Sequence, residues 1–174
     1  MRLIESKTLA TAAASIEFTS IPQTFTDLVV LASLRSNRTP ENLDWVLVSF
    51  NSNTSNYSAR ILEGTGSGVA SYSEFPRVFA TSSASGATSN TFGNSVTYVP
   101  NYTGATNKSW SGDLVGENNA TQAFQNLVAG LWSNTAAINS ISLTPRIGSQ
   151  FQIGSMVSLY GILKGTDGIV TTSP

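Results

Sequence analysis

No cysteine and no histidine occur in this chain, and only 11% of its 174 residues are charged. Without cysteine there are no disulfides and no thiolate metal sites. Without histidine there are no imidazole ligands, no Ser-His or Cys-His nucleophile pair, and the commonest general base is missing. Nine Lys and Arg stand against ten Asp and Glu, a net charge of −1. The clustered basic excess of a nucleic-acid footprint is therefore absent, and no nucleic-acid partner is expected. No apolar run reaches the length of a membrane span, and the opening MRLIESKTLATAAASIEF lacks the apolar core of a signal peptide. The chain reads as soluble, off the membrane and made without a cleaved leader.

What the chain does have is 40% hydrophobic residues in a background of Ser, Thr and Asn. That excludes disorder, and it favours sheet surfaces and turns over helices. The dominant period is two. RLIESKTL, SIEFTSI, DLVVLASLRS, DWVLVSF, YSARILE, SVTYVP, SWSGDLVG, INSISLTP and MVSLYGILK read as strands separated by turn chemistry. YSEFPRVFA reads as one short strand that Pro76 confines to an edge or a bulge, and ATSSASGATSN as a long loop of small residues. NSNTSN reads as the polar loop of a hairpin joining DWVLVSF to YSARILE. NNATQAFQNLVAGLW carries a helical stripe, but Gly130 and the surrounding strands favour a strand from Phe124 to Trp132. About ten short strands at a spacing of roughly 8–12 residues predict an all-β fold. The expected fold is a single antiparallel β-sandwich domain over residues 1–174, of jelly-roll or Greek-key type. GSMVSLYGILKG is apolar on both faces and reads as a central strand, with partners expected near residues 30 and 141.

The residues that could carry chemistry are few. Serines are plentiful, but no Gly-x-Ser-x-Gly elbow or Ser-x-x-Lys spacing occurs. Carboxylates able to form an acid pair are Asp113 and Glu117, with Glu63, Glu74, Asp27 and Asp44 as others, and nothing in the order of residues brings two of them together. EGTGSG lacks the Lys-Ser/Thr ending of a phosphate loop and reads as a flexible loop. NSNTSN lacks the carboxylate a calcium loop needs. No enzyme activity, cofactor or metal site is expected. Trp45, Trp110, Trp132 and the tyrosines at 57, 72, 98 and 102 could stack on sugars if exposed together. Trp45 and Trp132 sit in strand patterns, where core packing is the default. Tyr57 and Tyr102, each beside Asn and small polar residues, are the better surface candidates.

Four runs carry a family look. SIEFTSIPQTFTDLVVLASLRS, VSFNSNTSNYSARILEG, VPNYTGATNKSW and GSMVSLYGILKG resemble, in this order and spacing, segments of small tailed-phage virion proteins over Ile16 to Lys164. The resemblance implies a jelly-roll sandwich, usually a homotrimer, with no catalytic residues to carry over. It also implies a capsid decoration (cement) protein on the major capsid protein, located at the virion surface after synthesis in the host bacterial cytoplasm. The alternative within the same family is a receptor- or glycan-binding domain of a head or tail fibre, with a host glycan as partner. The absence of heptads, collagen repeats and β-helix repeats favours the compact decoration role over a stalked fibre. YSEFPRVFATSSASGATSN matches none of these runs and reads as a variable exposed part.

Both ends lie outside the family-like strands. Residues 1–9 read equally as an arm reaching a neighbour or as an edge strand of their own sandwich. Residues 166–174 read as an arm anchored by Ile169 and Val170.

Overall fold

The period of two is realised as strand after strand. A computed structural model describes residues 1–118 and 123–163, and among these there are twelve β-strands and no helix. In chain order they are β1 (Arg2–Thr8), β2 (Ile16–Phe18), β3 (Asp27–Leu34), β4 (Leu43–Phe50), β5 (Tyr57–Gly64) and β6 (Val69–Tyr72). After these come β7 (Val78–Ser83), β8 (Gly93–Val99), β9 (Lys108–Glu117), β10 (Ala123–Trp132), β11 (Ile141–Pro145) and β12 (Met156–Ile162). They form two antiparallel sheets: a large one in the order β1-β12-β3-β8-β9-β10-β5-β6, and a small one in the order β2-β11-β4-β7.

The pairing is that of a long hairpin rolled up. β1 pairs with β12 in the large sheet, β2 with β11 in the small one, β3 with β8 in the large, β4 with β7 in the small, and β5 with β6 in the large. Nested pairs that alternate between two layers are the jelly-roll arrangement. β9 and β10 are a hairpin added between β8 and β5. This alternation explains where β12 goes. It pairs with β3, as the sequence predicts, but its other neighbour is β1 and not the strand at 141. β11 lies in the small sheet, between β2 and β4, because the chain changes layer between β11 and β12. Residues 2–8 are accordingly an edge strand of their own sheet.

Three other expectations change. YSEFPRVFA is not one strand but spans the end of β6 and the start of β7, and the strands number twelve where about ten are expected. Residues 73–77, with Pro76 among them, form the turn by which the chain leaves the large sheet for the small one. NSNTSN is not a hairpin loop, since β4 and β5 belong to different sheets. Asn51, Ser52 and Asn56 adopt positive φ there, and the Asn51 amide binds the carbonyl of Ala137 and the N–H groups of Asn139 and Ser140. These bonds turn the chain across to the other layer. Finally, the first half of ATSSASGATSN is no loop: Ala80 to Ser83 belong to β7, and Ala84 and Ala87 are also buried. Small side chains are what fits between closely packed layers.

The core lies between the sheets and is centred on aromatic rings. Phe50 meets Phe79, Trp110 and Trp132 with ring centroids 5.6–5.9 Å apart. Two glycines permit this packing by close approach. A Cβ on Gly130 would stand 1.9 Å from the Trp110 ring, and one on Gly161 would stand 2.3 Å from Phe25. Gly130 therefore belongs in a strand beneath an indole, which settles the ambiguous segment in favour of β10 (Ala123–Trp132).

Asp44 closes one corner. It is fully buried, and its carboxylate accepts the N–H of Gly148 (2.8 Å) and of Ile147 (3.3 Å) and the Ser36 hydroxyl (3.2 Å), with Arg38 3.9 Å away. This tethers the β11–β12 connection to the β3–β4 connection, a structural role for one of the sequence's acid candidates.

Candidate functional site

β7 is an edge strand of the small sheet, yet all six of its residues are buried. An edge strand presents unpaired N–H and C=O groups, and buried ones need partners. The large sheet supplies them with side chains. Ser95 accepts the N–H of Thr81 (3.0 Å), Thr97 donates to the carbonyl of Phe79 (2.6 Å) and the Trp110 indole donates to that of Val78 (3.0 Å). β8 must therefore turn its polar residues inward. Ser95 and Thr97 are each 1% exposed, while Val96 is 46% and Tyr98 36% exposed on the opposite face.

The outer face of the large sheet inherits the apolar residues. By register, one row across it runs Ser158, Leu31, Val96, Asp113, Leu127 and Leu62. A second row runs Tyr160, Val29, Tyr98, Ser111, Ala129 and Arg60. Leu62 and Leu127 face each other and are each 51% exposed, and Leu3 and Met156 are exposed on the same face. Leu31, Phe92, Val96 and Met156 line a shallow hollow of ≈ 440 Å³. Within the sheet, Arg60 and Asp113 are the charged side chains of this face, with Asp27 and Glu117 at strand ends. Tyr98 donates to Asp27 (3.0 Å), and burial together with that carboxylate holds its hydroxyl above the usual tyrosine range. A broad, sparsely charged face with exposed apolar side chains has the chemistry that protein contact surfaces use.

A second feature lies at the β6 end, between the inner face of β10-β5-β6 and the start of β4. There a cleft of ≈ 550 Å³ is walled by Trp45, Tyr72, Phe75 and Phe124 and carries Glu63, Glu74, Glu41 and Arg38. Tyr72 packs edge-on to Phe75 (6.1 Å, 83°) and donates to Glu63 (3.0 Å). Its hydroxyl is held well above the usual tyrosine range, first by burial and then by Glu63 and Glu74. The Arg146 guanidinium lies 3.9 Å over the Phe75 ring, and Arg38 stands 3.9 Å from both Glu41 and Asp44. Opposite Glu63 in register, Asn126 is fully buried, and its amide has no hydrogen-bond partner among the described residues.

Of the acid candidates, Glu63 and Glu74 thus share a cleft, Asp44 is a buried tether, and Asp113 and Glu117 lie along β9. Tyr57 and Tyr102 are not surface platforms. Tyr102 is fully buried and donates to the carbonyl of Pro22. Tyr57 is half-buried and stacked on Trp132 (5.9 Å, 16°), and its hydroxyl accepts the Phe50 N–H (2.8 Å). Burial pushes Tyr57 up to about 12. The Asn before each tyrosine, Asn56 and Asn101, is turn chemistry at positive φ, but each ring anchors its turn to the core instead of displaying itself. All three tryptophans are buried. Ile169 and Val170, with the rest of 166–174, lie outside the described residues. Among those residues no three His, Cys, Asp or Glu cluster as metal ligands, and no helix is long and apolar enough to cross a membrane.

Period two alone could have pointed to Leu62 and Leu127, the apolar residues on the second face of their strands. Nothing in it could have joined Tyr72, Phe75 and Phe124, which come from three elements. No family model, curated protein or solved structure matches this chain.

Proposed function

We propose that the protein is a structural component of a tailed-phage virion, a decoration protein that reinforces the head shell. It assembles as a homotrimer at the capsid surface and buries the outer face of its large sheet against neighbouring subunits and the major capsid protein. The observation that carries this reading is that face. Exposed Leu3, Leu62, Val96, Tyr98, Leu127 and Met156 gather on one side of one sheet, a distribution that suits a large protein contact. The nested jelly-roll pairing agrees with what the resemblance of the four sequence runs implies.

The test is to add purified protein to heads lacking decoration and to image them by electron microscopy. The wild-type chain occupies defined lattice positions and raises the temperature at which heads rupture. Leu62→Glu with Leu127→Glu places like charges opposite each other on the outer face and lowers affinity for heads by about tenfold or more. Heads that stay bare with wild-type protein, or occupancy untouched by the double substitution, overturn the reading.

A further inference from the structure

We propose that the cleft at the β6 end of the sandwich binds a neutral saccharide one or two sugar units long. The site is independent of the virion reading, because Glu63, Tyr72 and Phe124 belong to the inner side of the large sheet and not to its apolar outer face.

A sugar ring presents an apolar face of C–H groups and a rim of hydroxyls. A site for it needs aromatic surface beside planar polar groups that both donate and accept. Tyr72, Phe75 and Phe124 are each half-buried, so each keeps ring surface open at the cleft. Glu63 and Glu74 supply acceptors for hydroxyl donors, and Arg38 supplies donors. The Tyr72 hydroxyl, bonded to one oxygen of Glu63, holds that carboxylate in place and leaves lone pairs available. Arg146, stacked on Phe75, fixes that ring. The volume, ≈ 550 Å³, falls within the usual size of a small-ligand site, roughly 300–1,000 Å³.

Charge and ring geometry narrow the ligand. Three glutamates line the cleft against one arginine, which already faces Glu41 and Asp44, so an anionic sugar is repelled. A simple cation is disfavoured for a different reason. An aromatic cage for a cation needs several free ring faces around one point, but Phe75 already carries Arg146 on one face and Tyr72 meets Phe75 edge-on.

The experiment is a titration of the full chain with cellobiose, lactose, maltose and N,N′-diacetylchitobiose. It is followed calorimetrically and by tryptophan fluorescence, to which Trp45 in the wall responds. Spermidine and 3′-sialyllactose are the charged comparators. At least one neutral disaccharide saturates the protein with Kd of roughly millimolar order, as a site with few direct contacts gives. The comparators give no saturable response over the same range. Glu74→Gln and Tyr72→Phe each weaken binding by about tenfold without moving the melting temperature by more than a few degrees. Leu127→Ser, on the outer face, leaves it unchanged. Ala70→Trp removes no polar contact but fills the cleft from an exposed position, and it abolishes binding even if one of the other variants folds poorly. The proposal is overturned if no neutral disaccharide saturates by about 20 mM. Binding of a comparator as tight as that of the sugars, or sugar binding undiminished in folded Ala70→Trp, overturns it equally.

Discussion

The two faces of the large sheet invert the usual rule at β8. On the inner face the strand shows Ser95 and Thr97 to the core, and on the outer face it shows Val96 and Tyr98 to solvent. On the middle of the neighbouring β9 the rule holds, with Trp110 and Leu114 inside and Ser109, Ser111 and Asp113 outside. The difference is what lies opposite. β8 faces the buried edge of β7, where backbone groups need partners. β9 mostly faces aromatic rings. Satisfying a buried backbone edge outweighs burying two apolar side chains: an unpartnered buried polar group costs about 1–3 kcal/mol, and a half-exposed valine gives up less. The apolar residues so displaced form the centre of the proposed contact surface.

The contrast between the faces can be broken most severely from inside. Phe50→Ala removes the ring that joins both sheets and costs about 3–5 kcal/mol in denaturant unfolding, enough to leave the domain barely folded. Asp44→Ala leaves the N–H groups of Gly148 and Ile147 without their buried acceptor. It lowers stability by about 2–3 kcal/mol, with amide exchange accelerated first in the β11–β12 connection.

A sharper probe is a matched pair on β8. Thr97→Val keeps the shape but deletes the donor to Phe79, so the more hydrophobic residue destabilises by about 1–2 kcal/mol. Val96→Thr, one residue away on the outer face, changes stability by less than about 0.5 kcal/mol. If the valine at 97 proved neutral or stabilising in urea melts, the edge-satisfaction argument would be wrong.

Protonation gives a milder version of the same test. Tyr57, Tyr72, Tyr98 and Tyr102 all have raised hydroxyl pKa values in the folded state, mainly through burial. The unfolded chain therefore releases these protons first as pH rises. Their contribution to stability is complete below the ordinary tyrosine value of 10.0 and is lost as pH climbs towards about 12 for Tyr57. Absorbance at alkaline pH of a Tyr160→Phe protein, which leaves only these four tyrosines, should show tyrosinate appearing late and together with unfolding. Early tyrosinate in a still-folded protein would contradict the anchoring roles of Tyr57 and Tyr102. The smallest effect belongs to the outer face: Leu127→Ser shifts the melting temperature of the isolated protein hardly at all, yet weakens its assembly, measured by sedimentation.

The all-β class, the strand from Phe124 to Trp132 and the burial of Trp45 and Trp132 were legible because each is written locally. Alternation over five or more residues marks a strand, and a large ring inside such a pattern is normally buried. The tertiary structure decided which strands share a sheet. NSNTSN looks like a hairpin turn, and its distant partners Ala137, Asn139 and Ser140 make it a crossover. It decided as well that Ser95 and Thr97 point inward, because the carbonyls and amides they satisfy belong to a strand more than ten residues away. Tyr102 was misplaced for the same reason, since its partner, the carbonyl of Pro22, is 80 residues distant. The cleft too exists only where β4, β6, β10 and the turn at Phe75 meet. Local composition sets the period of the chain, and long-range hydrogen bonding sets which face of each strand meets the core.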